Sequence, residues 1–206
     1  MRQQDIEEAL NLGIDELGFV FAGGPRNLSL DTAKNLLTFI REKKTVKVKR
    51  TLLFMDQSQE YIKPIIKELQ PDQLQFHGQE TAKFCDQFGL PWTKAIAAGD
   101  SINLADTINH WAKSTMTHGP VAVILDAHRQ GEAGGQGEKF DWQRIPQRPN
   151  LPIYIAGGLC PDNVAEAIQH YRPYAVDVSS GIEDSPGIKN HVKMRTFVAE
   201  VKHAEQ

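Results

Sequence analysis

The chain has 206 residues, which is enough for one large domain with a single buried core. Its formal net charge is −3 and its lysines and arginines form no long basic block, so the charge pattern of a nucleic-acid-binding protein is absent. No run approaches the ~18 apolar residues of a membrane span, and the two cysteines form no CxxC pair. We therefore expect one cytoplasmic domain over residues 1–206, without nucleic-acid or membrane partners.

Strand-like and helix-like patterns alternate along the chain. It opens on a helix pattern in which Ile6, Ala9 and Leu10 share a face and Gly13 acts as the stop. Seven strand patterns follow, at Leu17–Phe21, Thr51–Phe54, Gln73–Phe76, Trp92–Ala97, Val121–Ala127, Pro152–Gly158 and Ala175–Ser180. Most of these are continuously apolar, which is typical of parallel strands covered on both faces.

The intervening segments predict about eight amphipathic helices in all. Their apolar faces include Leu36, Leu37 and Ile40, then Ile62, Ile65, Ile66 and Leu69, and later Val164, Ala167 and Ile168. The last of these helices is predicted to begin near Pro161, because proline is favoured in a first helical turn.

This alternation predicts a parallel sheet with right-handed crossovers, either a (β/α)₈ TIM barrel or an open doubly wound sheet. A phosphate-type pattern near the end, and the lack of a Gly-rich fingerprint after the first strand, favour the barrel. Seven strands in place of eight would leave two edges unpaired or distort the closure. We therefore expect that one strand is missing upstream of Met1 and that the chain is only marginally stable.

Two loops near the end of the chain predict a phosphate site. Gly157 and Gly158 would let the backbone approach an anion, with the N-terminus of the next helix pointing at it. Ser179, Ser180 and Gly181 repeat the arrangement one strand later. Either loop alone could be a tight turn, but the two together favour phosphate, which TIM barrels commonly bind after strands seven and eight.

Four further residues are candidates for substrate contact or chemistry. Asp126 ends an apolar strand and could be a general acid, although an Asp after a strand more commonly caps the next loop. His77 could contact ligand or simply pack, and Lys94 could point into the barrel or onto a helix. Arg26 could hold a carboxylate or be a solvated loop arginine. The Gly-rich segment Glu132–Trp142 is predicted to be a mobile lid.

In this order, the segments GFVFAGGPRNLS, LQFHG, ILDA, GGQGEKFDW, IAGGLCPDNV and DVSSGIEDSPGIK resemble the phosphoribosylanthranilate isomerase family, from about Met1 to about Asn190. The resemblance implies an Amadori rearrangement of N-(5-phosphoribosyl)anthranilate in tryptophan biosynthesis, without cofactor or metal. The sequence leaves open whether the protein is a monomer or a homodimer. Asp126 matches the family's general acid, and Arg26 matches the arginine that holds the anthranilate carboxylate. Asp177 lies where the family contacts the sugar, and the phosphate loops match at Gly157, Gly158, Ser179 and Ser180.

The resemblance also implies a general base that this chain lacks. In the family the base is a cysteine at the end of the first strand, in a Lys-Ile-Cys-Gly stretch, and MRQQDIEEAL aligns with the residues that follow it. Cys160 is the only cysteine near the predicted site and could replace this base if a helix N-terminus lowers its pKa, but it belongs to the phosphate loop, where the family commonly has Thr. Cys85 lies in a predicted helix and is expected to be a packing residue.

Three interpretations follow. The first is an isomerase whose recorded start is too late. The second is a true 206-residue product that binds phosphorylated ligands without isomerising them, since loss of a general base removes about 10²–10⁴-fold in rate. The third is another phosphate-binding barrel, such as indoleglycerol-phosphate synthase or an epimerase of ribulose phosphate. The Arg26 loop and the Asp126 strand argue against the third.

Overall fold

A computed structural model describes residues 2–43, 47–98, 103–114, 116–126, 144–146 and 149–204. Seven strands form one sheet in chain order, and every neighbouring pair is parallel. They are β1 (Glu16–Val20), β2 (Lys49–Phe54), β3 (Gln73–Phe76), β4 (Trp92–Ala97), β5 (Ala122–Asp126), β6 (Ile153–Ala156) and β7 (Ala175–Val176). The seven predicted strands are confirmed, and the sequential order has the pattern of a TIM barrel rather than of a doubly wound sheet.

The helices lie between these strands and at both ends of the described chain. They are α1 (Gln3–Leu12), α2 (Leu30–Glu42), α3 (Gln59–Leu69), α4 (Ala82–Asp86), α5 (Leu104–Ala112), α6 (Val164–Tyr171) and α7 (His191–Ala204). A 3₁₀ turn (Ser180–Ile182) and a small antiparallel pair, β8 (Glu183–Ser185) and β9 (Ile188–Lys189), separate β7 from α7. Within the described residues, no helix is both long and apolar enough to cross a membrane.

Two predicted boundaries near the carboxyl end were wrong. The predicted strand Ala175–Ser180 ends at Val176, because Ser180–Ile182 turns into a 3₁₀ helix. The helix predicted to begin near Pro161 begins at Val164, because the Cys160 carbonyl oxygen accepts hydrogen bonds from the N–H groups of Asn163 and Val164 and forms a tight turn first.

Local signals account for two of the helix ends, of which the stop at Gly13 was predicted. α1 stops at Gly13, whose φ of 75° is a left-handed conformation that glycine adopts without a Cβ clash. Ser29 caps the amino terminus of α2, since its hydroxyl oxygen accepts a hydrogen bond from the Thr32 N–H. The predicted apolar face of α2 is buried, and in α3 only Ile66 of the predicted face stays partly exposed.

The sheet separates two apolar layers of different character. Between the sheet and the helices lies a large core with several fully buried aromatic side chains, among them Phe19, Phe54, Phe76 and Trp92. On the inner face of the sheet lies a smaller cluster of mostly short side chains: Ala95, Ala122, Ile124, Tyr154, Ala156 and Ala175. Alternate residues of each strand thus point to opposite layers, which explains the continuously apolar strand sequences.

The sheet has two edges, as the strand count predicted. β1 pairs only with β2, and β7 pairs only with β6, among the described strands. Helices α1 and α7 nevertheless pack together beside these edges. Arg195 Nη1 lies 2.7 Å from Glu8 Oε1, and Arg2 Nη2 donates to the Lys189 carbonyl oxygen at 2.9 Å. Side chains, rather than a backbone ladder, join the two ends of the sheet.

Candidate active site

The predicted site residues gather at one rim of the sheet. Because all seven strands are parallel, their carboxyl ends lie on the same side. Asp126 is the last residue of β5, His77 follows β3 directly, and Asp177 follows β7 directly. Arg26 lies in the loop between β1 and α2. The fold therefore brings four distant parts of the sequence to one rim.

Asp126 is held at the level of the neighbouring strand ends. It pairs in register with Ala97 of β4 and with Ala156 of β6, and its carbonyl oxygen accepts a hydrogen bond from the Ala98 N–H at 2.8 Å. Ala156 is followed at once by Gly157, the first residue of the predicted phosphate loop. The Asp126 backbone is therefore one strand away from that loop, on a rigid element.

Asp177 differs from an ordinary surface carboxylate. Its N–H donates to the Ile155 carbonyl oxygen at 2.8 Å, which fixes it beside β6. Burial raises the pKa of Asp177, the carboxylates of Glu16 and Asp126 raise it as well, and the Lys189 ammonium opposes them, so that together these effects raise the pKa to about 6. Asp177 therefore changes its charge close to neutral pH, within a group of acidic side chains on the inner side of the sheet.

His77 is a neutral hydrogen-bonding group at this rim. Burial lowers its pKa, the Asp126 carboxylate works in the opposite direction, and the Lys94 ammonium lowers it again. Gln75 Nε2 lies 2.5 Å from His77 Nε2, so the Gln75 amide can donate to that ring nitrogen. The other ring nitrogen then carries the proton and is available as a donor.

Lys94 faces the helices rather than the interior of the sheet, which settles a point that the sequence left open. Its Nζ is 2.9 Å from Glu80 Oε2 and lies over the ring of Trp111 in α5, and both charged side chains are buried. The same Nζ donates to the carbonyl oxygens of Phe76 and Gly78. This buried ion pair holds the segment that carries His77 against β4.

The first predicted phosphate loop has the backbone geometry that required glycine. Gly157 and Gly158 have φ values of 76° and 70°, which side chains rarely adopt. Asn163 closes the loop, since its Oδ1 accepts from the Cys160 N–H at 2.8 Å and its Nδ2 donates to the Gly158 carbonyl oxygen at 3.0 Å. The next helix, α6, begins immediately after this closure.

The second predicted phosphate loop lies against the first. A Cβ at Gly181 would overlap the Leu159 carbonyl oxygen, so only glycine permits this approach of the two backbones. Ser179 and Ser180 are exposed beside it. Lys189 Nζ donates to the Ser179 carbonyl oxygen at 2.9 Å and so stabilises the loop. The two predicted phosphate loops are therefore in contact through their backbones at Gly181 and Leu159.

Arg26 is not a solvated loop arginine. Its Nε lies 3.0 Å and 3.1 Å from the two carboxylate oxygens of Glu183, and its Nη2 lies 2.6 Å from Glu183 Oε2. Burial alone would raise the pKa of Glu183, but hydrogen bonds from Arg26 and Lys189 hold it below its ordinary value. Glu183 and Lys189 lie in the segment DVSSGIEDSPGIK, but the sequence predicted no role for them, because no local pattern pairs them with residue 26.

The two cysteines occupy different environments. Cys85 is fully buried, and burial raises its pKa to about 12, so its thiol stays protonated in the core. Cys160 is partly buried in the first phosphate loop, four residues before α6 begins. The predicted lid, Glu132–Trp142, lies outside the described residues.

Comparison with known proteins agrees with this arrangement. Residues 1–200 match the family model of N-(5′-phosphoribosyl)anthranilate (PRA) isomerase. The chain is 38% identical over 205 residues to N-(5′-phosphoribosyl)anthranilate isomerase of Xanthomonas campestris, covering 99% of this chain and 90% of that protein.

Solved structures show the same fold. Phosphoribosyl anthranilate isomerase of Thermotoga maritima superimposes with a TM-score of 0.85 at 28% identity, covering 98% of this chain and 95% of that one. A phosphoribosyl anthranilate isomerase in complex with reduced 1-(o-carboxyphenylamino)-1-deoxyribulose 5-phosphate superimposes with a TM-score of 0.75 at 25% identity, covering 98% and 94%. The chain belongs to the N-(5′-phosphoribosyl)anthranilate isomerase family.

Proposed function

We propose that this chain is a cytoplasmic phosphoribosylanthranilate isomerase that converts N-(5-phosphoribosyl)anthranilate to 1-(2-carboxyphenylamino)-1-deoxyribulose 5-phosphate in tryptophan biosynthesis. The observation that carries the proposal is the family match over residues 1–200, together with the position of Asp126 beside the glycine loop at one rim. We also propose that residues 1–206 form a single phosphate-binding domain, since α1 and α7 contribute to the same core.

Asp126 is proposed as the general acid. In an Amadori rearrangement the sugar ring opens when its ring oxygen receives a proton and the C1–O bond breaks. Asp126 lies on a strand end, fixed in register on both sides, so its carboxyl group is well placed to deliver that proton repeatedly in one geometry. A proton then leaves C2 to give an enaminol, and C1 gains a proton as the C2 hydroxyl loses one, so that C1 becomes a methylene group and C2 a ketone.

The two anionic ends of the substrate would be held by different parts of the rim. Arg26 would receive the anthranilate carboxylate, and Gly157, Gly158 and the 179–181 loop would receive the phosphate with backbone N–H groups and hydroxyls. His77 and Asp177 would contact the sugar between them. His77 can donate from a neutral ring, and Asp177 can accept or donate depending on its proton.

No residue of this chain is proposed as the general base that removes the C2 proton. Cys85 is excluded by its burial in the core and its raised pKa. A second function, binding of phosphorylated ligands without turnover, is favoured by one observation, which is that β1 and β7 end the described sheet without pairing with each other. An isomerase turns the substrate over and a binding protein does not, so a turnover measurement separates the two functions.

The test follows the loss of phosphoribosylanthranilate fluorescence with the 206-residue chain and with a version extended by an amino-terminal strand that ends in Cys-Gly. We expect turnover from the extended chain and a loss of about 10²–10⁴-fold in kcat when Asp126 is changed to Asn. Asp31→Asn, an exposed carboxylate in the first turn of α2, is the matched control and should leave kcat unchanged.

Each outcome decides between the functions. Turnover by the extended chain alone supports the isomerase and the assignment of its base to an added strand. Full activity of the 206-residue chain would place the base within it, with Cys160 tested next. Absence of turnover from both chains, with retained binding of the reduced product analogue, would favour the binding function.

A further inference from the structure

We propose that Glu183 is a positioning residue that presents Arg26 to the carboxylate of the substrate, and this rests on the proposed function. Glu183 follows the second phosphate loop, whereas Arg26 follows β1, and 157 residues separate them in the chain. Their pairing therefore joins the two ends of the sheet at the rim. No sequence pattern connects these residues, and their relationship exists only in the folded molecule.

The geometry of the pair is side-on. Glu183 receives the Nε–H and one Nη2–H of Arg26, which are on one edge of the guanidinium. A guanidinium has five N–H groups in a plane, so its end-on edge, with Nη1 and the second Nη2 hydrogen, is left over. Within the described residues, Nη1 of Arg26 donates to no protein atom. That edge can bind a second carboxylate through a bidentate pair of hydrogen bonds while Glu183 keeps the guanidinium plane of Arg26 fixed.

The burial of the two partners is unequal, which assigns their roles. The Glu183 side chain is 4% exposed and the Arg26 side chain is 33% exposed. Glu183 is also held from its other side, since Lys189 Nζ lies 3.0 Å from Oε1, and Lys193 Nζ donates to its carbonyl oxygen at 2.7 Å. Glu183 is thus the fixed member, and Arg26 is the member that reaches toward solvent.

The same carboxylate connects both anion sites. Lys189, which binds Glu183 Oε1, also donates to the Ser179 carbonyl oxygen in the second phosphate loop. The chain of contacts from Arg26 through Glu183 and Lys189 to Ser179 sets the separation between the carboxylate site and the phosphate site. A substrate with an anion at each end needs that separation to be constant.

The test compares Glu183→Gln with the wild-type chain in calorimetric binding of reduced 1-(o-carboxyphenylamino)-1-deoxyribulose 5-phosphate and of inorganic phosphate. We expect affinity for the analogue to fall about tenfold, the equivalent of one charge-assisted hydrogen bond, and affinity for phosphate to change less than about threefold. Glu68→Gln removes the carboxylate of an exposed Lys34 ion pair and is the matched control, which should change neither affinity.

A second measurement reports on Arg26 directly. The ¹⁵N–¹H signal of the Arg26 Nε–H, assigned with Arg26→Lys, should be visible in the wild-type chain and shifted or lost through exchange in Glu183→Gln. An unchanged signal would overturn the positioning role. An increase in analogue affinity would also overturn it, because Glu183 would then compete with the substrate. An equal fall for analogue and phosphate would mean that Glu183 only supports the fold.

The proposed function and the positioning role can fail separately. If the wild-type chain does not bind the analogue but the Nε–H signal still depends on Glu183, the proposed function fails and Glu183 still orients Arg26. If the analogue binds equally to wild-type and Glu183→Gln chains, the proposed function stands and the positioning role is wrong.

Discussion

The rim of this molecule is organised differently on its two sides. Between β3 and β4, a continuous backbone ladder is reinforced by the buried pair of Lys94 and Glu80. Between β7 and β1 the described strands do not pair, and charged side chains join the ends of the sheet, with Arg26 and Glu183 at the rim and Arg195 and Glu8 outside.

The difference shows that residues at the rim can be held either by backbone hydrogen bonds or by ion pairs between side chains. Backbone hydrogen bonds inside a sheet respond little to salt or pH. Ion pairs near solvent are screened as the salt concentration rises, and they are lost at a pH where one partner loses its charge. We therefore expect the β3–β4 side to be rigid and costly to disrupt. The β7–β1 side should be less stable and should respond to ionic strength.

The largest effect is expected from Lys94→Met, which leaves the Glu80 carboxylate buried without its cation. Removing one partner of a buried pair costs about 3–5 kcal/mol in the free energy of unfolding. Denaturation in urea measures it. The matched control is Lys34→Met, which breaks the exposed pair with Glu68 and should leave the urea midpoint unchanged. Equal midpoints for the two variants would show that the buried pair does not stabilise this side.

A smaller effect is expected from Gly181→Ala in the loop after β7. The new methyl group would push against the Leu159 carbonyl oxygen and separate the two phosphate loops, at a cost of about 1–3 kcal/mol in unfolding free energy. Affinity for inorganic phosphate, measured by calorimetry, should fall in parallel. Gly18→Ala, whose methyl group would meet no atom within 4 Å, should change neither quantity. Undiminished phosphate affinity in Gly181→Ala would argue against this site.

Asp177→Asn should stabilise the protein, in a pH-dependent way. The folded pKa of Asp177 is raised to about 6, above its unfolded value, so its ionisation destabilises the fold above pH 6 and has no effect below the unfolded pKa. We expect a gain of about 1–2 kcal/mol at pH 8 and none at pH 3, after allowance for partial exposure. Thermal melts of both proteins across this range measure the difference. A gain of equal size at both pH values would exclude ionisation as its cause.

The smallest effect is expected from Arg195→Gln, which removes the outer bridge from α7 to Glu8. An ion pair with a half-exposed partner contributes less than about 1 kcal/mol, and salt should abolish the contribution. Hydrogen exchange of α1 amides at low and high salt is the sensitive measurement. Protection that is lost in the variant at low salt, and equal in both proteins at high salt, is the expected result.

Much of the fold was predictable because it depends on local patterns. Strands that are apolar on both faces, and helices with a single apolar face, identify their own type and approximate bounds. Gly13 was predicted to stop a helix, and Gly157 and Gly158 to let the backbone approach an anion; the structure has positive φ at all three. The boundaries at Ser180 and Val164 were missed, since a 3₁₀ turn and a backbone turn leave no periodic signal.

By itself, the sequence determined the order of strands and helices, the positions of the glycine turns, and the candidates at the strand ends, because each of these depends on residues close together in the chain. Only the tertiary structure decided that Arg26 pairs with Glu183, that Lys94 faces the helices with Glu80, and that Gly181 lies against Leu159. Those relationships join residues 14 to 157 positions apart, and they arise only when parallel strands bring their carboxyl ends together.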